Sequence, residues 1–202
     1  MKTTKTNKVA QKGFTLIEMI GVLAVIAILA GMLIPKIFEA IRNSRVNATL
    51  EAYNTLKAAV LENYAKWGKF ATTSGTPYTG SSFDGVLFQE GRIDARASDK
   101  IPLALTGGTN NVYVSVVTGQ GRSTLGYALS GGTVISTANA ANTVELVIKG
   151  VPAQDAQDLS LRLDGPALSA TDLTSADTIG RVEYAAPTAG KTTDVYIYIA
   201  HQ

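Results

Sequence analysis

The residues able to do chemistry in this 202-residue chain are mostly acids. The most unusual is Glu18, the one charged residue within the apolar run Phe14–Ile34. A carboxylate in hydrocarbon costs at least ~2.5–3.5 kcal/mol on insertion scales, so an acid kept there has work to do, and that work is pairing with a positive charge. A second group comprises Asp155, Asp158, Asp164, Asp172 and Asp177. Calcium takes six to eight oxygen ligands, and an acidic loop can supply them. The same aspartates also read as helix caps and turn formers, and no D-x-[DN]-x-[DN]-G spacing is present. Nucleophilic chemistry has little to build on. There is no cysteine, and the single histidine, His201, sits one residue from the end with no assignable partner. Gly107-Gly108 and Gly119-Gln120-Gly121-Arg122 precede no helix and read as turns rather than phosphate cradles. Asn47-Ala48-Thr49 matches a glycosylation sequon, but on a predicted helix.

The elements that place these residues begin with the apolar run. Its twenty-one residues would be roughly 30 Å long as a helix, enough to cross a bilayer core. Lys2, Lys5, Lys8 and Lys12 precede it with no acid among them, so these lysines are expected on the cytoplasmic side, with the chain from about Pro35 outside. The run ends Met32-Leu33-Ile34-Pro35, without the small-x-small site of an ordinary secretory signal. Beyond residue 13 the chain carries fourteen Lys and Arg against sixteen Asp and Glu, a balance that argues against a broad nucleic-acid surface.

One detail exceeds a plain membrane anchor. Gly13-Phe14-Thr15-Leu16-Ile17-Glu18 resembles the processing site of type IV prepilins and of the pseudopilins of type II secretion systems. The resemblance covers roughly residues 8–45. It implies that a prepilin peptidase cuts between Gly13 and Phe14, that the Phe14 amine is methylated, and that Glu18 and Pro35 occupy the family's glutamate and proline positions. Ala27 stands where many relatives have glycine. The implied partners are further copies in a homo-oligomeric filament, the peptidase, the inner-membrane assembly platform and a motor ATPase. A calcium in the C-terminal loop, as major pseudopilins often carry, is a further implication for the five aspartates. On this view Glu18 pairs with the Phe14 amine of a neighbouring subunit. Register follows, because a one-residue slip leaves both charges unmatched in a low-dielectric setting.

Past Pro35, apolar residues recur at helical spacing: Ile37, Phe38, Ile41, Ala48, Ala52, Leu56, Ala59 and Val60. Asn63 interrupts that face before Tyr64 and Trp67 resume it, and Gly68 marks its stop. A helix from Thr15 to Lys66 is therefore expected, apolar all round in its first half and one-sided in its second. Pro35 removes a backbone donor and should kink or locally melt it, helped by Gly31. Tyr53, Tyr64 and Trp67 are expected to pack beneath the domain. A short helix with a serine cap follows at residues 81–91, and another at Ala153–Leu163 opened by Pro152. Strands are expected at Val112–Val117, Thr124–Leu129, Thr133–Ser136, Thr143–Lys149, Ile179–Ala185 and Asp194–Ala200, with Ser130-Gly131-Gly132 as a hairpin turn. Tyr184, Tyr196 and Tyr198 suit an exposed sheet face or ordinary strand positions.

The fold class is thus α+β and pilin-like: a long transmembrane-to-amphipathic helix packed on an antiparallel sheet. The expected division is a cleaved basic leader (residues 1–13), a transmembrane or filament-core helix (14–35), the amphipathic half of that helix (36–68) and an exported β-rich domain (69–202). The functional expectation is a structural pilus subunit, with a type II secretion pseudopilin as the alternative. A membrane-anchored exported enzyme or binding protein is a more distant rival, short of a catalytic constellation.

Overall fold

A computed structural model describes residues 13–104, 110–118, 127–129, 142–187 and 191–202. The chain divides into two compact units, the first ending at Ile41 and the second spanning Arg42–Gln202. One helix, α1 (Leu16–Trp67, 52 residues), contributes to both.

In the first unit every described residue is exposed. The helix is continuous through Pro35, so the local melting expected there is not seen. Proline removes only the bond to the Gly31 carbonyl, and long apolar residues of good helix propensity on either side carry the helix past it.

In the second unit α1 becomes one-sided. Val46, Thr49, Ala52, Tyr53, Leu56, Ala59, Val60 and Asn63 are buried, at spacings of one, three and four. Gly68, with φ +66°, ends the helix, and its N–H bonds the Tyr64 carbonyl at 2.7 Å. The buried face belongs to one core shared with a four-stranded antiparallel sheet of order β1-β2-β4-β3. The strands are β1 (Val112–Thr118), β2 (Asn142–Pro152), β3 (Val182–Tyr184) and β4 (Thr192–His201). A single row crosses all four strands through Val114, Leu146, Ile197 and Val182, each fully buried. Such cross-strand apolar neighbours fix register, since a one-residue slip would turn every one of them outward. Tyr53 ties helix to sheet by donating to the Tyr198 carbonyl at 2.8 Å.

Around this core sit α2 (Phe83–Gln89), α3 (Ala97–Lys100) and α4 (Ala153–Leu163). Ser82 takes the N-cap position of α2 but makes no side-chain capping bond, contrary to expectation. Gly91, at φ +69°, follows its end as expected. The strand expected over residues 179–185 is cut to β3 because Gly180 (φ +100°) turns the chain, and Asp177 bridges Tyr184. The short α3 was not anticipated. Residues 127–129 of the strand expected at 124–129 are irregular; its remainder, the strand at 133–136, the turn at 130–132 and both glycine pairs lie outside the described residues.

A polar hub closes the top of α1. Asn63, fully buried, donates from Nδ2 to the Ala71 carbonyl and accepts from the Ala71 N–H, both at 3.1 Å. Its Nδ2 also reaches Glu90 at 3.0 Å, and Glu90 takes further bonds from Arg92 and Trp67. Burial pushes the Glu90 carboxyl up, but these three donors outweigh it and hold it below the usual range. Asn63 therefore continues the buried face rather than interrupting it. Tyr64 is exposed and Trp67 half-buried, which corrects the expectation that both pack beneath the domain.

Candidate functional site

The candidate site is the start of α1. Gly13 and Phe14 lie ahead of the helix, both exposed, with open space where a Gly13 side chain would stand. Thr15 precedes the first helical residue. Its N–H and its hydroxyl each donate to Glu18 Oε2 at 2.8 Å, while the Glu18 N–H points to the Thr15 hydroxyl oxygen at 3.4 Å. This is a reciprocal capping box: a threonine and a glutamate three residues on satisfy helix-end donors for one another. The carboxylate also stands at the positive end of the helix dipole. The T-x-x-E signature is local and legible in the sequence, alongside the place in the apolar run and the prepilin resemblance that single out Glu18. From Phe14 to Ile41 the described residues supply no cover for the helix. Its apolar part meets the length and composition of one membrane span.

The other sequence-predicted residues are mostly in the second unit and mostly occupied within it. Asp155 and Asp158 come together on α4, where both bind Arg42: Nε to Asp155 Oδ1 at 3.1 Å and Nη2 to Asp158 Oδ2 at 2.6 Å. Burial raises the Asp155 carboxyl above the usual carboxylate range, with the Arg42 charge pulling the other way. Asp164 accepts the N–H groups of Arg181 and Val182 at 2.8 Å each. Asp172 is wrapped by Thr174 and Ser175, whose donors hold it down to about 2. Asp177 accepts from the Ser160 hydroxyl at 2.6 Å and from the N–H groups of Ala170 and Ile179. Among the described residues no three His, Cys, Asp or Glu side chains converge as a metal-holding group.

Three smaller readings change. His201 has a partner after all, its Nδ1 lying 2.5 Å from the Tyr198 hydroxyl. Tyr184 is buried in the core, not on an exposed sheet face, while Tyr196 and Tyr198 are half-buried. In the sequon, Thr49 is fully buried with its hydroxyl on the Arg45 carbonyl, and the Asn47 Oδ1 accepts from Arg162.

Two kinds of comparison bear on the start of α1. Residues 8–34 match the prokaryotic N-terminal methylation motif. The chain is also similar to two sequences of the type IV major pilin protein PilE1 from Neisseria gonorrhoeae. One is 30% identical over 104 residues, covering 50% of this chain and 62% of the relative. The other is 31% identical over 87 residues, covering 42% and 48%. The chain thus spans about half to three-fifths of the length of these curated relatives. No solved structure matches it. The chain thus carries a methylation motif of prepilin type and a distant, partial similarity to type IV major pilins, on an α+β, pilin-like fold of a long helix packed on an antiparallel sheet.

Proposed function

We propose that the chain is a structural, non-catalytic subunit of a type IV pilus or pilus-like filament. Prepilin peptidase cuts between Gly13 and Phe14, and the Phe14 amine is methylated. The processed chain waits in the inner membrane with its second unit outside, then enters an extracellular filament through the assembly platform and motor ATPase. The observation that carries this reading is the uncovered helix: Phe14–Ile41 is exposed throughout and begins with an anchored carboxylate. The twenty-six residues Leu16–Ile41 of mostly apolar helix do not persist in water without cover, and lipid first and neighbouring copies later can each provide it. The exchange of one for the other is then driven by packing and by the Glu18 charge, because lipid and helix faces are about equally apolar.

Assembly gives Glu18 a choice of partners. In the isolated chain it caps its own helix; in a filament the freed Phe14 amine of a neighbour offers it a full positive charge. The similarity to type IV major pilins favours a pilus subunit over a secretion pseudopilin. Mass spectrometry of the native N-terminus should find methyl-Phe14; an intact Met1, or cleavage beyond Ile34, overturns the reading. Deleting the gene should remove surface filaments. Loss of secreted proteins with filaments intact assigns the pseudopilin role instead.

A further inference from the structure

A cleft of about 430 Å³ opens in the second unit, between α1 and the segment that leads into α3. Its floor is apolar: Ala52, Leu56, Ile93 and Ala97 are buried there, with Ala48 half-buried beside them. Clefts of about 300–1,000 Å³ with an apolar lining and a few placed polar groups are what small molecules occupy. Four charged residues line this one: Glu51, Asp94, Arg96 and Lys100. Lys100 and Asp94 neutralise one another at 2.9 Å on the exposed rim. Glu51 is exposed to water and salt, which screen its charge. Arg96 is half-buried, and among the described residues no hydrogen bond or ion pair engages its guanidinium.

That guanidinium is nonetheless seated. A Cβ on Gly85 would collide with Arg96 Nη2 and come within 3.2 Å of its Cζ, so the arginine lies against α2 where α2 is bare. Gly85 is buried inside the helix and has no positive φ, so its backbone does not call for glycine. Glycine within a helix is destabilising relative to alanine, and what it provides here is room for Arg96. Asp84, the preceding residue, is buried as well. It accepts the Val114 N–H at 3.3 Å, and its charge attracts Arg96 without pairing with it. The fork of donors is therefore positioned beside an apolar floor and left unspent.

We propose that this cleft binds a small organic carboxylate with an apolar tail, the carboxylate taken by Arg96 and the tail laid over Ala52, Leu56 and Ile93. A guanidinium presents parallel N–H donors at the spacing of two carboxylate oxygens, which makes the charged end specific. The alanines of the floor leave width for an alkyl chain. Every lining residue belongs to the second unit, so the site stands apart from the filament reading above.

Titrating the isotope-labelled full chain in zwitterionic detergent micelles with hexanoate tests this, with NMR shifts followed at the Arg96 Nε–H and at the Ile93 and Ala97 amides. The shifts should saturate. Hexanamide, which keeps the tail and loses the charge, should bind at least tenfold more weakly, and so should acetate, which keeps the charge and loses the tail. Gly85→Ala must displace the flexible end of Arg96 while raising helix propensity. It should therefore lower hexanoate affinity tenfold or more with the melting temperature unchanged or higher. Arg96→Gln should lower the affinity as much, and Ala48→Leu should block the tail. Shifts that grow without saturating, hexanamide binding as well as hexanoate, or Gly85→Ala and Arg96→Gln binding like the wild type each overturn the proposal. Sheared filaments that take up no hexanoate while subunits do would give the cleft to a neighbouring copy, and that overturns it too.

Discussion

The two parts of α1 share one backbone and live by different rules. Below Arg42 the helix is exposed on every side, and the one acid of its apolar run, Glu18, is spent on a capping box with Thr15. From Arg42 upward it buries one stripe against its own sheet and leaves Glu51, Thr55 and Glu62 outside. The lower part is unfinished without something from outside the chain, whereas the upper part is finished within it. Stability and assembly should therefore separate cleanly by position along one helix.

The largest effect expected is on assembly. Glu18→Ala should leave membrane insertion and cleavage largely intact but cut filament yield by tenfold or more, scored by electron microscopy of sheared cells. Normal filaments would break the division at its lower end. Leu56→Ala, in the finished part, should cost the second unit about 2–5 kcal/mol in denaturant unfolding, as large-to-small changes in packed cores do. Its N-terminal processing should be unaffected.

A third test uses pH. Glu183 is buried on β3, and burial together with Asp177 and Glu145 pushes its carboxyl up to about 8. The folded state then binds a proton that the unfolded chain has released. The stability this group contributes is full below the ordinary glutamate range and is lost as pH rises to about 8. The slope is at most ~1.4 kcal/mol per pH unit. Glu183→Gln should flatten the melting temperature against pH over that window; an unchanged profile rules the explanation out. The smallest effect is Ile37→Ala. Half-exposed at 52%, it should shift the unfolding free energy of the solubilised chain by under ~0.5 kcal/mol. A cost as large as that of Leu56→Ala would mean that the lower helix is covered by its own chain after all.

Long-period patterns were the legible part of the fold. The full length of α1, its stop at Gly68, the helix at Ala153–Leu163 and the strands around 112–118, 142–149 and 192–201 follow from apolar periodicity and glycine punctuation. Polar residues inside the core were not legible. Asn63 breaks an apolar pattern on paper, yet it satisfies both backbone groups of Ala71, a partner that only the turn after Gly68 brings within reach. The five aspartates illustrate the same limit. Their clustering over residues 155–177 suggests one site, and folding distributes them among Arg42, two backbone amides at the entry to β3, a local turn and Ser160. At the N-terminus the reverse holds. Glu18 is singled out by its apolar surroundings and by the prepilin resemblance, whereas its partner Thr15 emerges only in the structure, although the capping signature is local and needs no fold to be read.

The sheet order carries a consequence for export. β4 follows every other strand in the chain, yet it lies between β2 and β3. If the second unit is exported as proposed, then until β4 has crossed the membrane β3 lacks its neighbouring strand and Tyr53 has no carbonyl to bond. The anchor is therefore inserted while the body is still an open half-sheet, and closing it requires contacts of very long sequence separation, an intrinsically slow step. Completion of translocation and completion of the core become one event. On the proposed reading, a subunit released early would still expose the apolar stripe of α1 that the finished body buries.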